Sequence, residues 1–410
     1  MAKLDEQIKT VAGYFAAGCE PEGRLTLGLE VEHFLTHSDG SAADFATVQA
    51  ALQDMQGQSD APVIADGAYL GYSGPALTVT LGPACQLRVG LAPQRDVQDM
   101  MDLYNNFYLQ MGLTLAAHGL RTWTMGYHPT ARAEALPLLP CTRYEAMDRY
   151  FKNTGACGLQ VMRATAGTTL SIDYFDEADF VRKTRAASLL TPFFALLSDN
   201  TPVYQGSRNS VYTMRTRLWQ DVDRDRCGVV PRLMDGNFGF ARYAETVLTK
   251  PQVAAWRTGR VKAVGSKTAP DLYAAHVSQR ETAQILSMFF YDVRLKSRIE
   301  LRAADSMPPR YLAAYAQLVK SVFGSPAALQ NVLRHYAGAT TLDITTAKMA
   351  VCKDGYNALV YGRPASSELA WLLMQARSRT PSQEERALLD PFMTLLTTRK
   401  TIRETENYNE

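Results

Sequence analysis

Alternation of apolar and polar residues is the clearest pattern in the chain. Leu25, Leu27, Leu29 and Val31 alternate with Thr26, Gly28, Glu30 and Glu32, the period of a strand whose successive side chains point to opposite faces. Three further segments repeat it. Leu77 to Gly82 resumes after Pro83 as Gln86-Leu87-Arg88-Val89. Thr168 to Tyr174 sets Leu170, Ile172 and Tyr174 against Thr169, Ser171 and Asp173, and Arg298-Ile299-Glu300-Leu301-Arg302 completes the set. Each segment keeps one aliphatic face and turns Glu, Arg, Gln, Asp or Thr outward. The assembly they predict is an antiparallel sheet with an apolar back on helices and a charged front, an α+β fold.

Helical periodicity fills the intervals. Val97, Met101, Tyr104, Tyr108 and Met111 predict a helix from about Gln94 to His118. Asp176-Glu177-Ala178-Asp179 reads as the acidic start of another, with Phe180, Leu189, Leu190, Phe193, Phe194 and Leu197 inside and an end before Asn200-Thr201-Pro202. Thr380-Pro381-Ser382-Gln383 reads as an N-cap, a first-position proline and a capping-box glutamine. Pro202 to Arg208 is turn-rich, and the polar tail from Thr401 to Glu410 is expected to fray.

The strand pattern already carries chemistry. Glu30 and Glu32 share a face, and two anions about 7 Å apart repel unless a cation or several donors lie between them. A bound divalent metal and a solvated surface strand both satisfy that condition. Two irregular segments add to it. Arg215 to Arg226 packs four arginines, three aspartates and Trp219 into twelve positions, which suits either anion recognition or a surface ion-pair cluster and reads as loop. Tyr127-His128-Pro129-Thr130 and Pro137 to Arg143 form a long irregular connection.

Composition narrows the class. The predicted strands run from about residue 25 to 302 of 410, so one catalytic-size unit woven from distant segments is expected, with a helical portion over about 306–410. A net charge of +2 and no basic run argue against nucleic acid. No stretch of about 18 apolar residues is present to span a bilayer, and the start of the chain is polar. Six scattered cysteines without CxxC spacing suggest reduced thiols and a cytoplasmic protein, with Cys85 a buried thiol. Neither HExxH, a Walker loop, a Rossmann glycine fingerprint nor GxSxG occurs.

Five blocks then become recognisable together: residues 28–33 (GLEVEH), 126–151, 165–174 (TAGTTLSIDY), 214–231 (MRTRLWQDVDRDRCGVVP) and 299–309 (IELRAADSMPP). In this order they resemble glutamate-cysteine ligase of the plant and proteobacterial type, and residues 355–363 resemble that family's helical C-terminal region. The resemblance implies a glutamine-synthetase-like curved antiparallel sheet with ATP and Mg²⁺ on its polar front. It implies ATP-dependent amide formation through a γ-glutamyl phosphate, with glutamate and cysteine as small-molecule substrates. By position, Glu30, Glu32 and Glu300 match the family's metal-binding carboxylates and Arg302 its strand arginine in contact with substrate or phosphate. Arg215 and Arg217, with Trp219 beside them, Lys296 and Arg298, and the pair Arg143 and Tyr144 fall where the family binds substrate or nucleotide.

The departures are as specific as the matches. Where the family reads close to VEPGGQLELS, this chain has LGPACQLRVG over 81–90, so Gly82 and Arg88 replace two acidic positions, and Thr169 stands near an expected metal-facing glutamine. Glutamate to arginine reverses the local charge by two units, worth several kcal/mol at ~4 Å and an effective dielectric near ~20. Fewer metal ions than the family norm are expected. Arg88 is a candidate catalytic residue alongside Arg302, either pairing with a glutamate or holding phosphate directly. An active ligase, a silent or regulatory relative, and a ligase for another acid or amine all remain open, as does a homodimer or a paralogous partner chain.

Overall fold

The computed structural model describes residues 2–23, 25–257, 259–406 and 408. Its central sheet has nine strands among the described residues. They are β1 (Leu27–His37), β2 (Ala61–Ala65), β3 (Ala68–Ser73), β4 (Leu77–Leu81), β5 (Leu87–Leu91), β6 (Leu120–Trp123), β7 (Gly167–Ile172), β8 (Val293–Leu295) and β9 (Ile299–Asp305). The order across the sheet is β8-β9-β7-β1-β5-β4-β3-β2, with β6 pairing the far end of β1, and every neighbouring pair is antiparallel.

The four alternating segments of the sequence thus become β1, β4 with β5, β7, and β9, and β1 lies between β7 and β5. Leu27, Leu29, Val31, Val89, Leu170, Ile172, Ile299 and Leu301 form the buried back. Behind it the helix Val97–Ala117 presents Met100, Met101, Tyr104, Met111 and Leu115. His33, on the same back face, is fully buried against Tyr104, whose hydroxyl lies 3.2 Å from its Nε2. Burial pushes the imidazole down to about 3, so it packs as a neutral core residue. A helix over Glu177–Leu197 starts from an Asp176 cap as expected, and its apolar length lies almost wholly inside. After β9 the chain is largely helical, and one contiguous core reaches from Val11 to Ile402.

Three expectations change. Residues 214–219 of the arginine-rich segment form a helix, not a loop, started by Thr213 in the left-handed region. The late helix starts two residues further on: Thr380 ends the helix Ala365–Arg379, and Ser382 caps Gln383–Ala387 by accepting the Glu385 N–H, because the side chain able to cap must sit at the turn itself. The described part of the tail is docked, not frayed. Ile402–Thr405 is helical, Arg403 pairs with buried Asp199 at 3.1 Å, and the Tyr408 hydroxyl donates to Asn200 at 2.5 Å. These polar residues find buried partners that no local pattern announces. Asn407, Asn409 and Glu410 lie outside the described residues.

Candidate active site

The register of the sheet decides which front residues meet. Glu32 stands opposite Arg88 across β1 and β5, and Glu30 lies between Gly90 and Thr169. Glu300 lies between Ser171 on β7 and Arg294 on β8. A register shift between Leu301 and Ala304 interrupts the β9 to β7 ladder at Arg302. Such a bulge re-aims a side chain and frees its backbone. The freed Arg302 carbonyl accepts the Arg215 Nη1 at 2.9 Å, and the Arg302 N–H donates to the Asp292 carbonyl at 2.9 Å.

Arg215 reaches this point because position 167 is glycine. A β-carbon there would lie 2.6 Å from the Arg215 Nη2 and 3.0 Å from the Ala304 carbonyl. The Gly167 N–H in turn donates to Glu32 Oε2 at 2.8 Å, while Arg88 Nε donates to Oε1 at 2.8 Å. Burial alone would raise the Glu32 carboxyl, but Arg88, Arg215, the Gly167 N–H and Arg302 outweigh it and hold the pKa below the usual value.

Glu300 is closed in the same manner. Arg294 reaches its Oε2 at 2.6 Å, Lys296 its Oε1 at 2.9 Å, and Arg302 lies 3.9 Å away. Against the cost of burial these cations bring the carboxyl down to about 2. The cations are themselves crowded: burial and Arg294 push Lys296 down to about 8 and Arg302 to about 10. Five basic side chains (Arg88, Arg215, Arg294, Lys296, Arg302) therefore face three acidic ones (Glu30, Glu32, Glu300).

In front of Glu32 lies a narrow cleft of about 60 Å³ lined by Arg88, Arg215 and Arg302 on its polar side. Met147, Phe151, Val161, Met162, Trp219 and Phe290 form the apolar side. Two donors there have no acceptor among the described residues, the buried Arg215 Nε and the Trp219 indole N–H. A smaller hollow adjoins it, reaching Asp292, whose carboxylate pairs with Lys348. The arrangement can receive an oxyanion on one wall and a short apolar chain on the other.

Of the residues singled out in the sequence, the structure brings Glu32, Arg88, Arg215, Trp219 and Arg302 to this cleft, with Glu300 and Lys296 beside it. It does not gather the other four with them, and Glu30 is exposed on the sheet front. The Arg143 guanidinium donates to Ser287 Oγ and its carbonyl at 3.0 and 3.1 Å, and the Tyr144 hydroxyl donates to the Leu81 carbonyl at 3.0 Å. Arg217 faces outward, two positions along the helix from Arg215. Arg298 ties the strand ends together, pairing with Asp173 and donating to the Thr26 carbonyl at 2.7 Å. Cys85, in the left-handed region of the β4 to β5 turn, is buried and its thiol is pushed up to about 12.

The Mg²⁺ that the family resemblance implies finds no ready ligand set. A small hard cation needs several free carboxylate oxygens. Glu32 and Glu300 spend theirs on guanidinium and backbone donors, and among the described residues no three Asp, Glu, His or Cys side chains gather to hold a metal. Reading the sequence overlooked Arg294 and Asp305. Alternation of Val293 and Leu295 against Arg294 and Lys296 was the available sign for the first. Asp305 is buried and pushed up to about 6, and it accepts from the Asn200 N–H and the Thr201 hydroxyl close to Arg215; nothing local marks it.

Comparison with known proteins agrees with this architecture. Residues 26–399 match the model of glutamate-cysteine ligase family 2. The chloroplastic glutamate–cysteine ligases of Brassica juncea and Arabidopsis thaliana are 27% and 26% identical over 330 residues. That stretch is 78% of this chain and 64% and 63% of theirs, so the chain spans about two thirds of their length or slightly less. A crystal structure of glutamate–cysteine ligase from Francisella tularensis in complex with AMP shares the fold, at a TM-score of 0.57 and 9% identity over 94% of this chain and 84% of that one. With the sheet, its helices and the family match in agreement, the chain belongs to glutamate-cysteine ligase family 2.

Proposed function

We propose that the protein is an ATP-dependent carboxylate–amine ligase, with glutamate as the acid and cysteine as the leading amine. A γ-carboxylate oxygen of glutamate would attack the γ-phosphorus of ATP, releasing ADP and forming γ-glutamyl phosphate. The cysteine amine would then attack the acyl carbon, expelling phosphate and a proton to give γ-glutamylcysteine. The observation that carries this reading is the convergence of Arg88, Arg215 and Arg302 on a small cleft with an apolar opposite wall. Bringing an anionic acid to an anionic phosphoryl group requires fixed positive charge, and preorganised guanidiniums supply it without reorganisation. The chloroplastic relatives carry the name of this activity, and the AMP complex of the Francisella enzyme fits use of an adenine nucleotide. On this reading the product would feed glutathione biosynthesis, and the protein would act in the cytoplasm.

A second reading has its own support. Glu32 and Glu300 are both closed on cations, which is the expected state of a site that has stopped turning over and retains ligand binding. Phosphate release by the purified protein with ATP, Mg²⁺ and glutamate, scanned over amino acids and simple amines, separates the two. Release that needs both glutamate and one amine, with the γ-glutamyl product of matching mass, supports the ligase. No release with any pair from a folded protein overturns it.

A further inference from the structure

The surplus of positive charge on the sheet front bears on how a ligand is held. A strand that brought a carboxylate to position 88 would leave β1 and β5 with an acidic corner in want of a cation. Here the corner brings its own: the Arg88 guanidinium lies on Glu32 at 2.8 Å, fixed by the opposition of the two residues in the ladder. Only Nε is spent in that bond, and the side chain lines the cleft. Among the described residues Arg302 makes no bond shorter than its 3.9 Å approach to Glu300 through its guanidinium, and Arg215 Nε and the Trp219 indole N–H have no acceptor. Four donor groups thus face one small space, while the nearest acid, Glu32, is saturated by Arg88 and Gly167. Burial, and after it the neighbouring Arg294, lower both Lys296 and Arg302.

We propose that Arg88 takes the place of a divalent cation in this chain, so that a carboxylate or phosphoryl oxyanion docks directly on Arg88, Arg215, Arg302 and the Trp219 indole, and that this docking needs no metal. A planar guanidinium offers two parallel N–H donors to such a group, a geometry that a hydrated cation does not impose. The proposal deepens the ligase reading and rests on it only for the choice of ligands.

Isothermal titration of the full chain tests it, with L-glutamate, inorganic phosphate and ATP as probes, each in EDTA and each in excess Mg²⁺. The expected result is that glutamate or phosphate binds in EDTA with a Kd within about threefold of its value in Mg²⁺. Glutamate alone points to the acid substrate as the source of the oxyanion, and phosphate alone to the nucleotide. Arg88→Gln should weaken that metal-free binding at least tenfold, and Arg88→Lys, which keeps the charge without the fork, should fall between. Circular dichroism checks that the variants fold, and the wild-type comparison of EDTA with Mg²⁺ stands even where a variant does not. Binding of every probe only in Mg²⁺, binding of none, or an Arg88→Gln protein that binds as wild type in EDTA overturns the proposal. Metal-free binding without phosphate release from any acid–amine pair would sustain the arginine site and remove the ligase reading; turnover with strictly Mg²⁺-dependent binding would do the reverse.

Discussion

Arg215 and Arg226 stand at the two ends of one arginine-rich segment, and the contrast between them shows what separates a binding group from a structural one. Both are buried. Arg226 spends four of its N–H donors inside the protein: Nε donates to Asp223 at 2.6 Å, Nη1 to the Met288 carbonyl at 3.3 Å, and Nη2 to the Tyr150 hydroxyl and the Pro251 carbonyl at 2.9 and 2.7 Å. Its plane also rests over Tyr150 and Phe289. Arg215 spends Nη1 on one carbonyl, leaves Nε without an acceptor and borders open space. Desolvating a guanidinium costs several kcal/mol unless its donors are met. Arg226 recovers that cost inside the protein, whereas Arg215 leaves part of it for a ligand to recover. Residue type and spacing are the same at the two ends; completeness of hydrogen bonding is what differs.

The contrast is broken most severely at the Arg226 end. Arg226→Leu strips the buried Asp223 carboxylate of its cation and two carbonyls of a donor, and should lower stability by about 3–5 kcal/mol, read as a reduced urea midpoint. Arg215→Gln should leave the midpoint within about 1 kcal/mol per lost hydrogen bond and weaken glutamate or phosphate binding by about 10–100-fold in titration calorimetry. If the two variants show the same profile, the distinction between them fails. Trp219→Phe keeps the apolar wall and removes only the indole donor, for an expected loss of about 3–10-fold in affinity with an unchanged midpoint.

A pH titration probes the closed carboxylate on the other side of the site. The Glu300 carboxyl falls from an ordinary 4.5 to about 2 on folding. The folded protein therefore holds fewer protons on this group than the unfolded chain between those values. Its contribution to stability is present above about 4.5 and is lost as pH falls toward 2. Urea midpoints measured over that range should decline less steeply in Glu300→Gln than in the wild type.

Much of the fold was legible because a half-buried strand writes its two faces into alternate letters. Leu27, Leu29 and Val31 behind, and Glu30 and Glu32 in front, follow from that rule alone. The helix expected over about 94–118 occupies Val97–Ala117, with the Asp96 side chain capping Gln98. Pairings were not legible. That Arg88 would pair with a glutamate was one of two open readings, but which of Glu30, Glu32 and Glu300 it meets, and that Arg294 closes on Glu300, depends on register, which single-strand periodicity does not carry. The resemblance located Arg302 and Arg215, but not that a bulge and the absence of a β-carbon at Gly167 bring them together. The docked tail was read as frayed for a like reason: Arg403 and Tyr408 look solvated until Asp199 and Asn200 are placed beneath them.

The clamp from Arg298 to the Thr26 carbonyl joins residues 272 positions apart. Its consequence is one of timing. During synthesis β1 emerges well before its neighbour β7 and longer still before β9, so the central ladder is assembled from distant pieces. Contacts of such high separation are slow to form, and an early strand waiting for its partners exposes an edge on which other chains can pair. The cationic cleft needs β1, β5 and β9 at once and cannot exist before β9 has emerged, so the nascent chain has no competent site until the sheet is closed.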